Sequence, residues 1–146
     1  MDDRSTVRFN IASTDPSVDL ALTIYLDKVS VFTTPHVAHD ICYQHEFEDI
    51  IGEHEFELVM SNKTAEHTQC DEDGNIVKDV MLSVQFSIDD VNQNSAFEKH
   101  TVYTHDFNGS QPEIQDTFHG FMGCNGRLSL KFTTPLFLWI LATNRH

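Results

Sequence analysis

The segment VMLSVQFSIDDV places Val80, Leu82, Val84, Phe86 and Ile88 at alternate positions, with Met81, Ser83, Gln85 and Ser87 between them. Successive side chains of a strand point to opposite faces of the pleat, so this pattern puts all five apolar groups on one side of an extended chain. A helix would scatter the same residues around its axis. A strand with one apolar face must belong to a sheet, and that sheet needs a second layer to cover it.

The same period recurs elsewhere. Val7, Phe9 and Ile11 alternate with Arg8 and Asn10. In DLALTIYLDKVSVF, Leu20, Leu22, Ile24 and Leu26 share a face, and Asp27-Lys28 falls where a tight turn leads into a second strand through Val29 and Val31. GEHEFELVMSN sets His54, Phe56, Leu58 and Met60 against Glu53, Glu55, Glu57 and Val59, which predicts an edge or outward-facing strand with one acidic face. RLSLKF repeats the pattern with Leu128, Leu130 and Phe132. Pro135 then ends the strand, and the apolar run LFLWIL reads as a closing strand or short buried segment, with a helical plug as the alternative. No longer window carries a helical stripe. The prediction is an all-β chain, an antiparallel β-sandwich of jelly-roll or carbohydrate-module type, with residues 1–146 as one domain. Its polar loops at Thr33 to His39, Ser61 to Gly74, Asn92 to Lys99 and Asn108 to Asp116 are the candidate functional surface.

Charge narrows the partners. Lys and Arg number 9 against 23 Asp and Glu, a formal charge of −14, which argues against nucleic acid and against an anionic membrane. The 9 histidines would add positive charge only below about pH 6.5. The three cysteines, Cys42, Cys70 and Cys124, form no CxxC pair and cannot all be bridged to one another, so a reducing site of folding is expected. MDDRSTVRFN lacks the basic and then apolar pattern of a secretory signal, and LFLWIL is too short to span a bilayer.

The densest group of acids is CDEDGN. If Gly74 takes position 6 of an EF-hand loop, Asp71 and Asp73 fall at positions 3 and 5, but Gln69 stands at 1 and Val80 at 12, so that motif fails. Two readings remain. A looser calcium site would use Asp71, Asp73, Asn75 and Asp79, with Asp89 or Asp90 nearby; a plain hairpin would use the same Asp-Gly for its turn. His36 with His39, and His100 with His105, lack the partners of a zinc site and read as scattered histidines. The pairs Asp89-Asp90, Glu46-Glu48 and Glu55-Glu57 resemble a hydrolase dyad only in composition, and no nucleophile motif accompanies them, so no enzyme is expected. Tyr25, Tyr43, Tyr103 and Trp139 could stack on sugar rings if they shared a surface, but Trp139 lies within the apolar run and is predicted to be core.

Two stretches, GEHEFELVMSNKTAEHTQCDEDGNIVKDVMLSVQFSIDDV and FNGSQPEIQDTFHGFMGCNGRLSLKFTTPLFLWIL, about half of the chain, resemble small β-rich proteins of marine contractile-tailed cyanophages. That resemblance brings no catalytic residues. The central stretch is also similar to calcium-dependent xylan-binding carbohydrate modules, through the hairpin YLDKVSV followed by Asp71, Asp73, Gly74, Asp79, Leu82, Ile88 and Asp89. Here Lys28 replaces the glycine usual after the hairpin aspartate, and no tryptophan platform accompanies the match. Together the resemblances imply a non-enzymatic phage virion structural or accessory protein, in head decoration or in the tail, fibre or baseplate. Such a protein folds in the host cytoplasm, contacts other phage structural proteins and forms a homo-oligomer. The alternative they imply is a calcium-dependent carbohydrate-binding module that attaches to a surface glycan.

Overall fold

The computed structural model describes residues 4–64, 66 and 68–143. In chain order the first strands are β1 (Arg4–Ser13), β2 (Ala21–Leu26), β3 (Val29–Thr34), β4 (Ile41–Glu48), β5 (Gly52–Ser61), β6 (Gln69–Cys70) and β7 (Ile76–Lys78). They are followed by β8 (Leu82–Ile88), β9 (Val91–Asn92), helix α1 (Asn94–His100), β10 (Thr101–His105), β11 (Ile114–Thr117), β12 (Phe121–Met122), β13 (Gly126–Thr134) and helix α2 (Leu136–Thr143). Among the described residues, one sheet runs β12-β8-β1-β4, with β9 completing its five strands against β8. The facing sheet has six, in the order β11-β10-β13-β5-β2-β3, and β6 and β7 form a separate ribbon. Every pairing is antiparallel, so the predicted β-sandwich is the fold.

The alternating residues meet in one core. Val7, Phe9 and Ile11 face Phe56, Leu58 and Met60 across the sandwich, joined by the five apolar residues of Val80 to Ile88, all of them buried. Phe9 lies at the centre, its ring 5.1 Å from Phe56, 5.3 Å from Phe86 and 5.6 Å from Phe97. Replacing such a side chain by alanine costs about 3–5 kcal/mol. On the far side, β10 passes so close to Gly126 that an added Cβ would run into the Thr104 carbonyl.

Two hairpins turn without glycine. Asp27 and Lys28 have φ of 51° and 69°, and Asp89 and Asp90 have 50° and 65°, the left-handed pair that a tight hairpin requires. Aspartate tolerates that region better than most residues, and here its carboxylate also ties the turn down. Asp27 accepts the Glu55 N–H at 2.8 Å, and Asp89 accepts the Thr6 N–H at 2.8 Å.

Three expectations are corrected. β5 is not an edge strand, since it lies between β13 and β2; its acidic face does point outward, the other half of that expectation, with Glu53 exposed and with Glu55 and Glu57 shielded by cations on neighbouring segments. The LFLWIL run forms helix α2 rather than a closing strand. Pro135 cannot donate to the ladder, and Leu136, Trp139 and Thr143, at helical spacing, are the buried stripe, leaving Phe137, Leu138 and Leu141 exposed. The Asn92–Lys99 loop contains most of α1, whose seven residues are too few to print a stripe; Ala96 and Phe97 plug the core, and the Asn94 Oδ1 accepts the Phe86 N–H at 2.7 Å. The predicted loops at 33–39, 61–74 and 108–116 overlap the end of β3, all of β6 and the start of β11 respectively, and Ala65 and His67 of the second lie outside the described residues.

Candidate functional site

The acidic segment folds as the β6–β7 hairpin, with Gly74 at φ 83°. Asp71 Oδ1 accepts the N–H groups of Asp73 at 3.0 Å and Asn75 at 2.9 Å, and the backbone closes again from Asp71 N to Asn75 O. Asp79 is engaged elsewhere. Its Oδ1 accepts from Lys63 Nζ at 2.6 Å, Thr68 Oγ1 at 2.8 Å and its neighbour Val80 N at 2.9 Å. Lys63 also donates to the Gly123 carbonyl, and its side chain is 1% exposed. Burial acts to raise the Asp79 carboxyl, but the Lys63 and Thr68 hydrogen bonds and the Lys63 charge hold it below the usual carboxylate range.

This arrangement does not fit a calcium ion held by Asp71, Asp73, Asn75 and Asp79. One carboxylate is already bridged to a buried ammonium, another closes its own turn, and among the described residues no group of three or more His, Cys, Asp or Glu is placed to hold a metal. Asp89 is the turn cap described above, and Asp90 pairs with Arg8 at 2.7 Å.

The remaining candidates disperse. His36 contacts Asp19 at 3.2 Å, and His39 is exposed. His100 Nε2 meets Thr143 Oγ1 at 3.0 Å, while the buried His105 lies 3.8 Å from Asp116. Glu46 is paired with Arg4 on the surface, and Glu48 is exposed. The Tyr103 hydroxyl donates to the Cys124 carbonyl and accepts its N–H at 2.9 Å; burial pushes its pKa up. Tyr43 packs on Phe32 and Phe56, and burial raises it too. Tyr25 stands opposite Glu57 in the register of β2 and β5.

Glu55 and Glu57 are brought together with chemistry that their sequence neighbourhood does not contain. Both carboxylates bind Lys28 Nζ, at 3.0 and 2.9 Å, and Glu57 also accepts from Arg127 at 3.1 Å, which explains how a glutamate only 5% exposed is tolerated mid-sheet. Ser129 Oγ donates to Glu55 at 2.7 Å. Burial acts to raise Glu55, but the bonds from Ser129 and Lys28 outweigh it and its pKa is lowered.

Beside this network lies a groove of about 690 Å³. Glu53, Glu55, Lys131 and Thr133 on β5 and β13 line it; the Asp27-Lys28 turn stands on one side and Trp139 of α2 on the other. Trp139, 8% exposed, is core as predicted but also borders the groove, its ring 5.2 Å from His100 and 6.2 Å from Phe132. His54 Nδ1 bonds Asp27 Oδ2 at 2.8 Å. Burial acts to raise Asp27; the His54 bond and the Glu55 N–H more than offset it, so its carboxyl is held below the usual carboxylate range. The groove therefore offers fixed carboxylate acceptors, ammonium donors and an indole at one mouth. The alternation of Glu53, Glu55 and Glu57, the Asp27-Lys28 turn and Trp139 were each visible in the sequence, but nothing in it brought them together.

The class of protein that these features define is an antiparallel β-sandwich with a polar groove on the outside of its larger sheet. No protein-family model and no curated protein sequence matches the chain, so the cyanophage resemblance gains no support there. Among solved structures, vCBM60 in complex with galactobiose is similar with a TM-score of 0.50 and 13% identity, over 86% of this chain and 96% of that one. A selenomethionine form of vCBM60, described in connection with circular permutation between two families of calcium-dependent carbohydrate-binding modules, is similar with a TM-score of 0.51 and 12% identity, over 86% and 89%. At that identity the likeness is one of fold. No helix among the described residues is long and apolar enough to cross a membrane.

Proposed function

We propose that this chain is a non-catalytic carbohydrate-binding module that holds a glycan in the groove between the Asp27-Lys28 turn and α2. The observation that carries the reading is the groove's lining, on a sandwich whose solved neighbours include a module bound to galactobiose. Sugar hydroxyls both donate and accept, and Asp27, Glu53 and Glu55 stand ready to accept while Lys28, Lys131 and Thr133 donate. The Trp139 indole adds an apolar edge for a sugar's C–H face. Cations and carboxylates are nearly balanced here, so the groove favours neutral glycans over polyanions. Calcium is not needed for recognition by these side chains, and EDTA treatment should leave affinity unchanged.

Isothermal titration against galacto- and xylo-oligosaccharides tests the reading. Binding that Glu53→Gln and Lys131→Met each weaken, with thermal unfolding preserved, is the expected result. Absence of binding to either series at millimolar sugar would sink it.

The exposed side chains of Phe137, Leu138 and Leu141, at 53%, 51% and 57%, favour a second reading in which α2 docks this chain onto another protein of a phage particle. Quantitative mass spectrometry of gradient-purified particles tests it, since a stoichiometric signal is required.

A further inference from the structure

We infer that the binding surface continues beyond the groove across the outer face of the six-stranded sheet, so that its ligand is an extended oligosaccharide lying over several strands. The inference rests on the glycan reading above and adds a second section to it, formed by Thr104, Gln115 and Arg127.

A second depression, of about 420 Å³, adjoins the first. The two share Lys28, Glu55 and Lys131 in their linings, and His100 of the second touches Trp139 of the first at 5.2 Å between rings. They are therefore sections of one cleft. The strand register sets the floor of the second section, with Val102 opposite Ser129 and Ser129 opposite Glu57 in one row, and Gln115 opposite Thr104 and Thr104 opposite Arg127 in the next. From β11 to β2 there are four inter-strand steps of ~4.8 Å, or roughly 19 Å. That length accommodates a chain of sugars.

The chemistry of the second section is also distinct. Arg127 is tied to Glu57 at 3.1 Å and Ser129 to Glu55 at 2.7 Å, so both are held in place rather than free to follow a ligand. The Thr104 hydroxyl and the Gln115 amide line the depression and have no side-chain hydrogen bond to another described residue. Unpaired neutral donors and acceptors above a floor rigidified by ion pairs suit the hydroxyls of successive sugars, at little cost in side-chain ordering.

The test is isothermal titration with galacto- and xylo-oligosaccharides from the disaccharide to the hexasaccharide, on the wild-type chain and on a Thr104→Val/Gln115→Ala double variant. Both positions are on the surface side of their strands, and equal melting temperatures confirm that the variant is folded. The expected result is an affinity that climbs by roughly tenfold between the disaccharide and the longer members, as two added hydrogen bonds imply, and then levels off. The double variant should bind the disaccharide like the wild type and lose that climb. Disaccharide binding with no gain from added length, or a gain that survives in the double variant, overturns the second section and leaves the glycan reading standing. No binding to any member of either series by folded protein overturns both.

Discussion

In the β6–β7 hairpin, Asp71 bonds the backbone of Asp73 and Asn75, two and four residues away, whereas Glu57 on β5 reaches Arg127, 70 residues away. The hairpin is the densest acidic stretch of the sequence, yet its Asp71 carboxylate serves its own turn and Asp79 serves its attachment to the sandwich. The outer face of the larger sheet holds fewer acids per residue of sequence, yet antiparallel pairing assembles them with lysine, arginine and an indole into a cleft. Local density of a residue type thus says less about a site than the partners that strands bring in from elsewhere. Asp71, crowded in sequence, finds the nearest N–H groups, whereas Glu55 and Glu57, held on a strand face, meet side chains from distant segments.

The comparison can be broken most forcefully at the hairpin's base. Lys63→Met leaves the Asp79 carboxylate and the Gly123 carbonyl without their buried ammonium, and should cost about 3 kcal/mol in urea unfolding. A loss within error would show that the ribbon is not anchored there. Next comes the cleft floor. Glu57→Ala strips Lys28 and Arg127 of a shared partner, but both cations are substantially exposed, so a loss nearer 2 kcal/mol is expected, accompanied by weaker glycan affinity. Asp71→Ala removes two turn hydrogen bonds at an exposed site and should cost about 1 kcal/mol, with glycan affinity unchanged. Altered affinity in that variant would join the two regions that the comparison separates.

Acidification gives a smaller effect. Burial, together with the charge of His54, lowers His45, and burial with Lys99 lowers His100; Asp27 and Glu46 pull His45 the other way without prevailing. With folded values below the ordinary ~6.5, the unfolded chain binds more protons in that interval, so stability is complete above it and falls as pH drops through it. Melting curves from pH 7 to 5 should show this decline, and His100→Asn should flatten it. The lowered Asp27, Glu55 and Asp79 contribute in the same sense further down, their stabilisation being present above the usual ~4 and lost as pH falls through their folded values. The smallest effect is expected from calcium. Millimolar calcium added to EDTA-treated protein should leave the melting temperature in place, and a rise that Asp71→Asn abolishes would restore the hairpin as a metal site.

Much of the fold was legible because period-two burial is a property of the chain itself. The alternation from Val80 to Ile88 and from Phe56 to Met60 names the faces correctly, and Asp27-Lys28 and Asp71 to Asn75 are the turns that their residue types suggest. The position of β5 was not legible. An acidic strand face reads as solvent-exposed until its neighbours are known, and those neighbours carry Arg127 and Lys28 from far along the chain. Nor was α2, since a short apolar run after a proline suits either a strand or a helix, and the choice came from Leu136, Trp139 and Thr143 packing beside β13.

The sequence by itself therefore determined strands β1, β2, β5, β8 and β13, their inward faces and the two-layer class, because alternation and turn chemistry act within a few residues; β4 and β10 were not read from it. Only the tertiary structure decided which strand is central, that the calcium candidates Asp71 and Asp79 have separate roles, and that Asp27, Glu53, Lys131 and Trp139 border one groove. Those outcomes depend on strand order and on contacts between distant segments, and antiparallel pairing is what sets a carboxylate and its cation side by side.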